Sequence, residues 1–271
     1  MKKNKINKII LIIVGICILL PLLNLIIWSF TERWAWPDLL PQTYSLRALN
    51  EIFSRKEEMT KLFVSSIVLS MIVAILSVII GMMTARAFVF YDFKGKRQLY
   101  FVTILPFLIP ATVFAMGIHV LFIKWGLSNS ILGVVIVHLI YSLPYATRLL
   151  MDGTMAIGNK LEEQAKVLGA NTFQAFTKVT LPILSPVILS SLSMSYIVSF
   201  SQYFLTLLIG GGKVKTFAIV MFPYLSGGNR NMASVYSLVF LGITLIIFSI
   251  FKIIVWKINK NINVNTDFYG I

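Results

Sequence analysis

Six long apolar stretches leave this chain few ways to fold. Roughly residues 9–30, 63–85, 99–123, 130–150, 186–209 and 231–256 are almost free of charge over their centres. A bilayer core takes about 20 apolar residues per helix, and a helix satisfies all its backbone N–H and C=O groups without help from water. An all-α integral membrane protein with six transmembrane helices is expected. The mean hydropathy of +0.86 and a charged fraction of only 13% exclude a soluble domain of this length. The first run follows MKKNKINK, a basic start like that of a secretion signal. It is too long for such a signal and no small-x-small cleavage site follows, so it is read as a retained helix.

Basic residues orient the spans, because loops rich in Lys and Arg stay cytoplasmic. With the N-terminus inside, 15 of the 24 basic residues fall on the inner side, among them Lys2, Lys3, Arg86, Lys94, Lys166 and Lys252. Both termini are therefore expected in the cytoplasm of a plasma-membrane protein. The chain divides into a tail and first helix (1–30), an extracytoplasmic loop (31–62), a five-helix core (63–256) with a cytoplasmic loop at 151–185, and a cytoplasmic tail (257–271). The net charge of +14 sits on membrane flanks and forms no basic domain, so its partner is the lipid bilayer and not nucleic acid. In the outer loop, WAWPDLLP places Trp34 and Trp36 for the interfacial belt. SLRALNEIFSRKEEMTKLF then reads as an amphipathic cap over the bundle, with Leu46, Leu49, Ile52 and Phe53 at helical spacing. The single cysteine, Cys17, is read as a packing residue.

Catalytic chemistry is not apparent. His119 and His138 lie in different spans with no carboxylate or second cysteine near, so no metal site and no cofactor is expected. Both are candidates either for helix-to-helix hydrogen bonding or for a role along a route through the membrane. IGGGKVKT (209–216) fails as a phosphate loop, since Val214 stands where a Ser or Thr must hold magnesium. Asp, Glu, Lys and Arg are missing from the span centres, which leaves no group for ion coupling. The chain is not read as an enzyme, and its energy is expected to come from a partner.

One stretch departs from this pattern, EEQAKVLGANTFQAFTKVTLPILSP at 162–186. It is expected to form a helix with Leu161, Ala165 and Leu168 on one face, ended by Gly169. A short second helix capped by Asn171 or Thr172 would carry Phe173 and Phe176. Leu181 and Pro182 should end it, with Pro186 in the first turn of the next span. Two aromatic rings offered to the cytosol must be buried either against the chain's own bundle or in a partner's groove.

Glu163, Gln164, Ala165, three residues, Gly169, nine residues, then Val179, Thr180, Leu181 and Pro182 resemble the E-A-A, x3, G, x9, I-x-L-P loop of ABC-importer permeases. ILPFLIPATVFAMG with Pro106 and Pro110, SLPYATR and SFSQYFLTLLIGGG are similar to the type I importer family as well. The resemblance covers about residues 60–256. It implies the six-helix, type I (MetI-like) permease architecture. It also implies a coupling helix from Ala170 to about Lys178, with Asn171, Phe173 and Phe176 on it, docking in a cytoplasmic ATPase. The implied partners are two ABC ATPase subunits, a second permease and an extracytoplasmic solute-binding protein. Gln164 departs from the first alanine of the motif.

For the pathway, Pro106 and Pro110 would loosen the third span. His119, Ser195, Ser199, Gln202 and Tyr203 are further candidates, with Ser191, Ser195 and Ser199 reading equally as a close-packing stripe. The polyamine, phosphonate, iron and thiamine group of permeases looks most similar, although Ser201 and Gln202 stand where several of its members carry acids. A small polar solute is expected. A membrane scaffold that recruits a partner through the same loop, without transport, is the alternative.

Overall fold

The computed structural model describes residues 2–261 and is helical along almost all of its length. α1 (Lys2–Ser29), α3 (Lys56–Phe90), α6 (Ile131–Ile157), an unbroken helical stretch from Thr172 to Phe200, and α12 (Arg230–Asn261) are long and apolar enough to cross a bilayer. A bent pair, α4 (Lys96–Leu108) and α5 (Ala111–Lys124), brings the count to six if it makes one crossing. The tail expected from 257 begins as helix, and 262–271 lie outside the described residues.

The third span is not the single helix expected over 99–123. Its halves meet at 112°, and each is only about 20 Å long at 1.5 Å per residue, short of a bilayer core. Pro110 explains the break. Its ring clashes with a helical residue before it, and Ile109 is extended at φ −96°, ψ 129°.

The fifth span differs too. The run expected at 186–209 splits at Ser201–Tyr203 into α9 (Leu181–Phe200) and α10 (Phe204–Gly210). On its other side, Leu181 and Pro182 do not end the preceding helix. α8 (Thr172–Ala175) passes into a π-helical turn, Phe176–Thr180, which leads directly into α9, and Pro186 lies inside α9 and not in its first turn. The widened turn closes with Leu181 N–H donating to the Phe176 carbonyl. It thereby makes room for the Pro182 ring, which would crowd the carbonyl four residues back in an α-helix.

The chain divides into two compact units. One joins 1–62 to 220–243, and the last span contributes to both units. In this unit Asn231 donates to the carbonyls of Trp28 (3.0 Å) and Ser29 (3.1 Å), which the end of α1 leaves without helical partners. Arg230 lies 5.1 Å from the Trp28 ring, and Trp34 packs on the same tryptophan. A small antiparallel pair, β1 (Thr31–Arg33) and β2 (Thr43–Tyr44), interrupts the all-α expectation. α2 (Arg47–Ser54) is the expected amphipathic helix, but Ala48 is its buried residue while Leu46 and Phe53 stay exposed.

Among its described residues the second unit, 63–219 and 244–271, holds two apolar cores. One gathers Leu69, Phe122, Val137 and Ile209, the other Met82, Phe88, Leu150 and Leu184. α6 and α9 approach so closely that a Cβ on Gly153 would fall 2.7 Å from a Val187 methyl. Glycine is what lets these two helices touch along their backbones.

Candidate functional site

Between α6 and α9 the chain forms an elbow. Gly158, at φ 66°, ends α6, and α7 (Lys160–Val167) follows. α7 closes in a Schellman motif, with Gly169 N–H donating to the Lys166 carbonyl and Ala170 N–H to the Ala165 carbonyl, each at 3.0 Å. Gly169 sits at φ 95°, and a Cβ there would meet no atom within 4 Å. The need for glycine is purely one of backbone conformation. Asn171 then caps α8 in a full capping box, accepting from Gln174 N–H while the Gln174 side chain accepts from Asn171 N–H. Both helix ends facing the bend are thus satisfied by the loop's own residues, which makes the bend stiff.

The root of the elbow is held by a residue that the sequence pattern did not single out. Glu162, not Glu163, is buried, with 6% of its side chain exposed. Arg86 Nη2 lies 3.0 Å from each carboxylate oxygen, Thr180 Oγ1 donates to Oε2 at 2.9 Å, and Lys166 Nζ is 3.4 Å from Oε1. The Arg86 guanidinium also sits 5.2 Å from the Phe90 ring and 5.0 Å from the Phe176 ring. Burial pushes the Glu162 carboxyl up, but the Thr180 hydrogen bond and the Arg86 and Lys166 charges outweigh it and hold it below the usual carboxylate range. α3, α7 and the π turn meet at this carboxylate.

The tip is the opposite. Val167 and Leu168 are 88% and 87% exposed and Phe173 is 75% exposed. This revises the expected apolar face of α7, since Leu161 and Leu168 are exposed and only Ala165 is half-buried. It also separates the two phenylalanines. Phe176 packs against the core of Met82, Phe88, Leu150 and Leu184 and against Arg86, and only Phe173 remains outside. Beside Phe173 a cleft of about 530 Å³ opens between α8 and the end of α3, with Met82, Met83 and Tyr91 on its wall. The other motif residues lie along the same elbow. Glu163 and Gln164 are exposed, with Glu163 accepting from Asn159 Nδ2 at 2.5 Å, Ala170 is half-buried, Leu181 is exposed and Pro182 is buried.

The pathway candidates do not come together in one lining. Pro106 lies inside α4 and Pro110 at the break before α5. His119 bonds locally to Ser128 at 3.2 Å. Ser195 is fully buried with no hydrogen-bond partner, as is Ser191, so the serine stripe reads as close packing. Ser199 is buried as well, 2.9 Å from His138 Nδ1. His138 Nε2 is 2.9 Å from Thr206 Oγ1, whose single proton goes to the Gln202 carbonyl at 2.6 Å. Nε2 must therefore donate, and Nδ1 accepts from Ser199. This chain of bonds ties α6 to both sides of the Ser201–Tyr203 break, leaving Gln202 and Tyr203 half-buried at the break itself. Sequence reasoning left His138 open between two roles, and here it bridges helices.

Glu162 and Arg86 escaped the sequence reading because their pairing spans 76 positions. A faint signal existed in Arg86, a cation following the apolar stretch of the second span.

Comparison with known proteins bears on what this arrangement serves. Residues 77–262 match the model of the family described as binding-protein-dependent transport system inner membrane component. The chain is 29% identical over 191 residues to the molybdate/tungstate transport system permease protein WtpB of Pyrococcus abyssi, covering 69% of this chain and 73% of that protein. It is 24% identical to the spermidine/putrescine permease PotC of Haemophilus influenzae, over 61% of this chain and 64% of that one. It is 25% identical to the sulfate permease CysT of Escherichia coli, over 65% and 69%. In fold it resembles a chain of a bacterial ABC transporter that imports alginate, with a TM-score of 0.65 at 16% identity, covering 95% of this chain and 97% of that one.

Proposed function

The chain belongs to the family of binding-protein-dependent transport system inner membrane components, the permease subunits of ABC importers, and from that premise we propose that it forms half of a solute pathway driven by a separate ATPase docked on the elbow. It is a multi-pass inner-membrane protein. In the proposed arrangement both termini and the elbow face the cytoplasm. A second permease, either a copy of this chain or a different one, completes the route, and an extracytoplasmic binding protein delivers the solute. Two ATPase subunits engage the two elbows.

The observation that carries the reading is the exposed trio of Val167, Leu168 and Phe173 on a rigid bend. Three large apolar side chains around one turn in water call for a cover, and a groove that receives a short helix supplies it. Phe173 is the anchor and Gly169 sets the angle at which it is offered. Behind the tip, the helical stretch from Thr172 to Phe200 runs unbroken to the Ser201–Tyr203 break. At 1.5 Å per residue its 29 residues span about 43 Å. A push on Phe173 thus reaches the break with no flexible joint on the way.

A small polar solute suits the neutral side chains of Gln202 and Tyr203 at that break. The similar permeases named for molybdate/tungstate, polyamines and sulfate serve small solutes as well.

Co-purification tests the docking. An ATPase subunit should accompany the wild type and be lost from Phe173→Asp and from Gly169→Pro, with the membrane domain still folded by its thermal melting. Retention of the ATPase by Phe173→Asp would refute elbow docking. ATP hydrolysis in proteoliposomes should then rise with a loaded binding protein, whereas a flat response would leave the scaffold as the better account.

A further inference from the structure

The elbow touches the bundle at a second place besides α9, and that contact is ionic. We propose that Glu162 and Arg86 are positioning residues that couple the elbow to α3, so that a stroke entering at Phe173 leaves through two helices. This rests on the reading of the elbow as the ATPase docking site.

Glu162 is the only buried carboxylate among the described residues. Burying an ion pair has a desolvation cost that its attraction need not repay, and apolar packing of the same volume often stabilises as well or better. The pair holds directions as well as residues. One Arg86 nitrogen lies 3.0 Å from both carboxylate oxygens, and one of those oxygens also takes the Thr180 hydroxyl. The guanidinium is held between Phe90 of α3 and Phe176 of the π turn. Three elements therefore converge on one carboxylate. Arg86 Nη1 has no acceptor, so Glu162 is the anion that fixes this side chain.

α3 has something to deliver at its other end. Ser66 Oγ accepts from Phe217 N–H at 2.7 Å, and Phe63 packs on the Phe217 ring. From Arg86 to Ser66 is 20 residues of helix, about 30 Å. A shift of the elbow would thus be carried by α3 to the turn that precedes α11 (Phe217–Ser226), as well as by α9 to the Ser201–Tyr203 break.

The test uses the full chain in complex with its ATPase, with Cys17→Ser and spin labels at Lys94→Cys, just past α3, and Lys160→Cys, on the elbow. The distance between the labels is measured without nucleotide and with vanadate-trapped ADP. In the otherwise native complex it should stay constant within about 2 Å, the scale of small helix shifts. In Glu162→Gln it should change or broaden on trapping, and the trapped fraction should fall several-fold. Arg86→Lys keeps the charge but loses the flat guanidinium that lies over the Phe90 and Phe176 rings, and should fall between. Glu162→Gln combined with Arg86→Gln should be no worse than either alone, since the two act as one unit.

A label distance that shifts on trapping with the pair intact would overturn the proposal, as would Glu162→Gln behaving like the native pair. If Glu162→Gln fails to assemble, Arg86→Lys and the native-pair measurement still decide. Failure of the docking reading shows separately, as absence of the ATPase from the purified labelled protein.

Discussion

The root and the tip of the elbow are built from the same two dozen residues, yet they live in opposite environments. At the root, a carboxylate, a guanidinium, a hydroxyl and the Phe176 ring close on one another. At the tip, Val167, Leu168 and Phe173 stand open. The lesson is a division of labour: the root holds geometry, and the tip offers the exposed apolar surface on which the proposed docking rests. Neighbours in sequence, Glu162 with Glu163 and Phe173 with Phe176, fall on different sides of that division.

The sharpest way to break this contrast is at the paired glutamates. Glu162→Ala leaves Arg86 charged and only 23% exposed with no anion, and should cost about 3–5 kcal/mol in stability. Glu163→Ala should stay within about 0.5 kcal/mol. Denaturation of the two variants in the same detergent checks both, and equal losses would erase the distinction.

The phenylalanines come next. Phe176→Ala should lower stability by about 2–3 kcal/mol, less than a fully buried ring because it is only half-buried. Phe173→Ala should leave the melt unchanged but weaken ATPase binding by about 2 kcal/mol, roughly 30-fold. A melt shift for Phe173→Ala, with binding intact, would reverse the assignment.

Gly169→Ala probes the bend between the two regions. With open space around the added methyl, the cost is the left-handed backbone alone, about 1–2 kcal/mol. A loss much above that would mean that the bend is packed, contrary to the open tip.

The smallest effect is one of pH. Because the Glu162 carboxyl is held below its ordinary value, the native state binds fewer protons than the unfolded chain. Its stabilisation is fully present above the unfolded pKa of about 4.3 and is lost as pH falls through the lower folded value. Wild type and Glu162→Gln should therefore converge in stability on acidification below about pH 4. Parallel curves through that range would show that the charge at the root contributes nothing.

Much of the fold was legible in advance. The span positions, the elbow and the bend at Gly169 all follow from residues read within one or two helical turns. The same local reading failed at Pro110, where a break was expected only to be a loosening, and at Pro182, where a stop was expected and the helix continued through a π turn. Whether a proline kinks, breaks or is absorbed depends on the packing around it. The serine stripe looked equally like a route lining and a packing seam, and the burial of Ser191, Ser195 and Ser199 places it inside the bundle.

By itself the sequence determined the solvent of this protein and the location of the elbow, because hydrocarbon imposes its demand residue by residue and glycine imposes its own on the backbone. Only the tertiary structure decided which glutamate and which phenylalanine turn inward. That choice depends on Arg86, 76 positions before Glu162, arriving at the elbow on a different helix, and no local pattern encodes such an arrival.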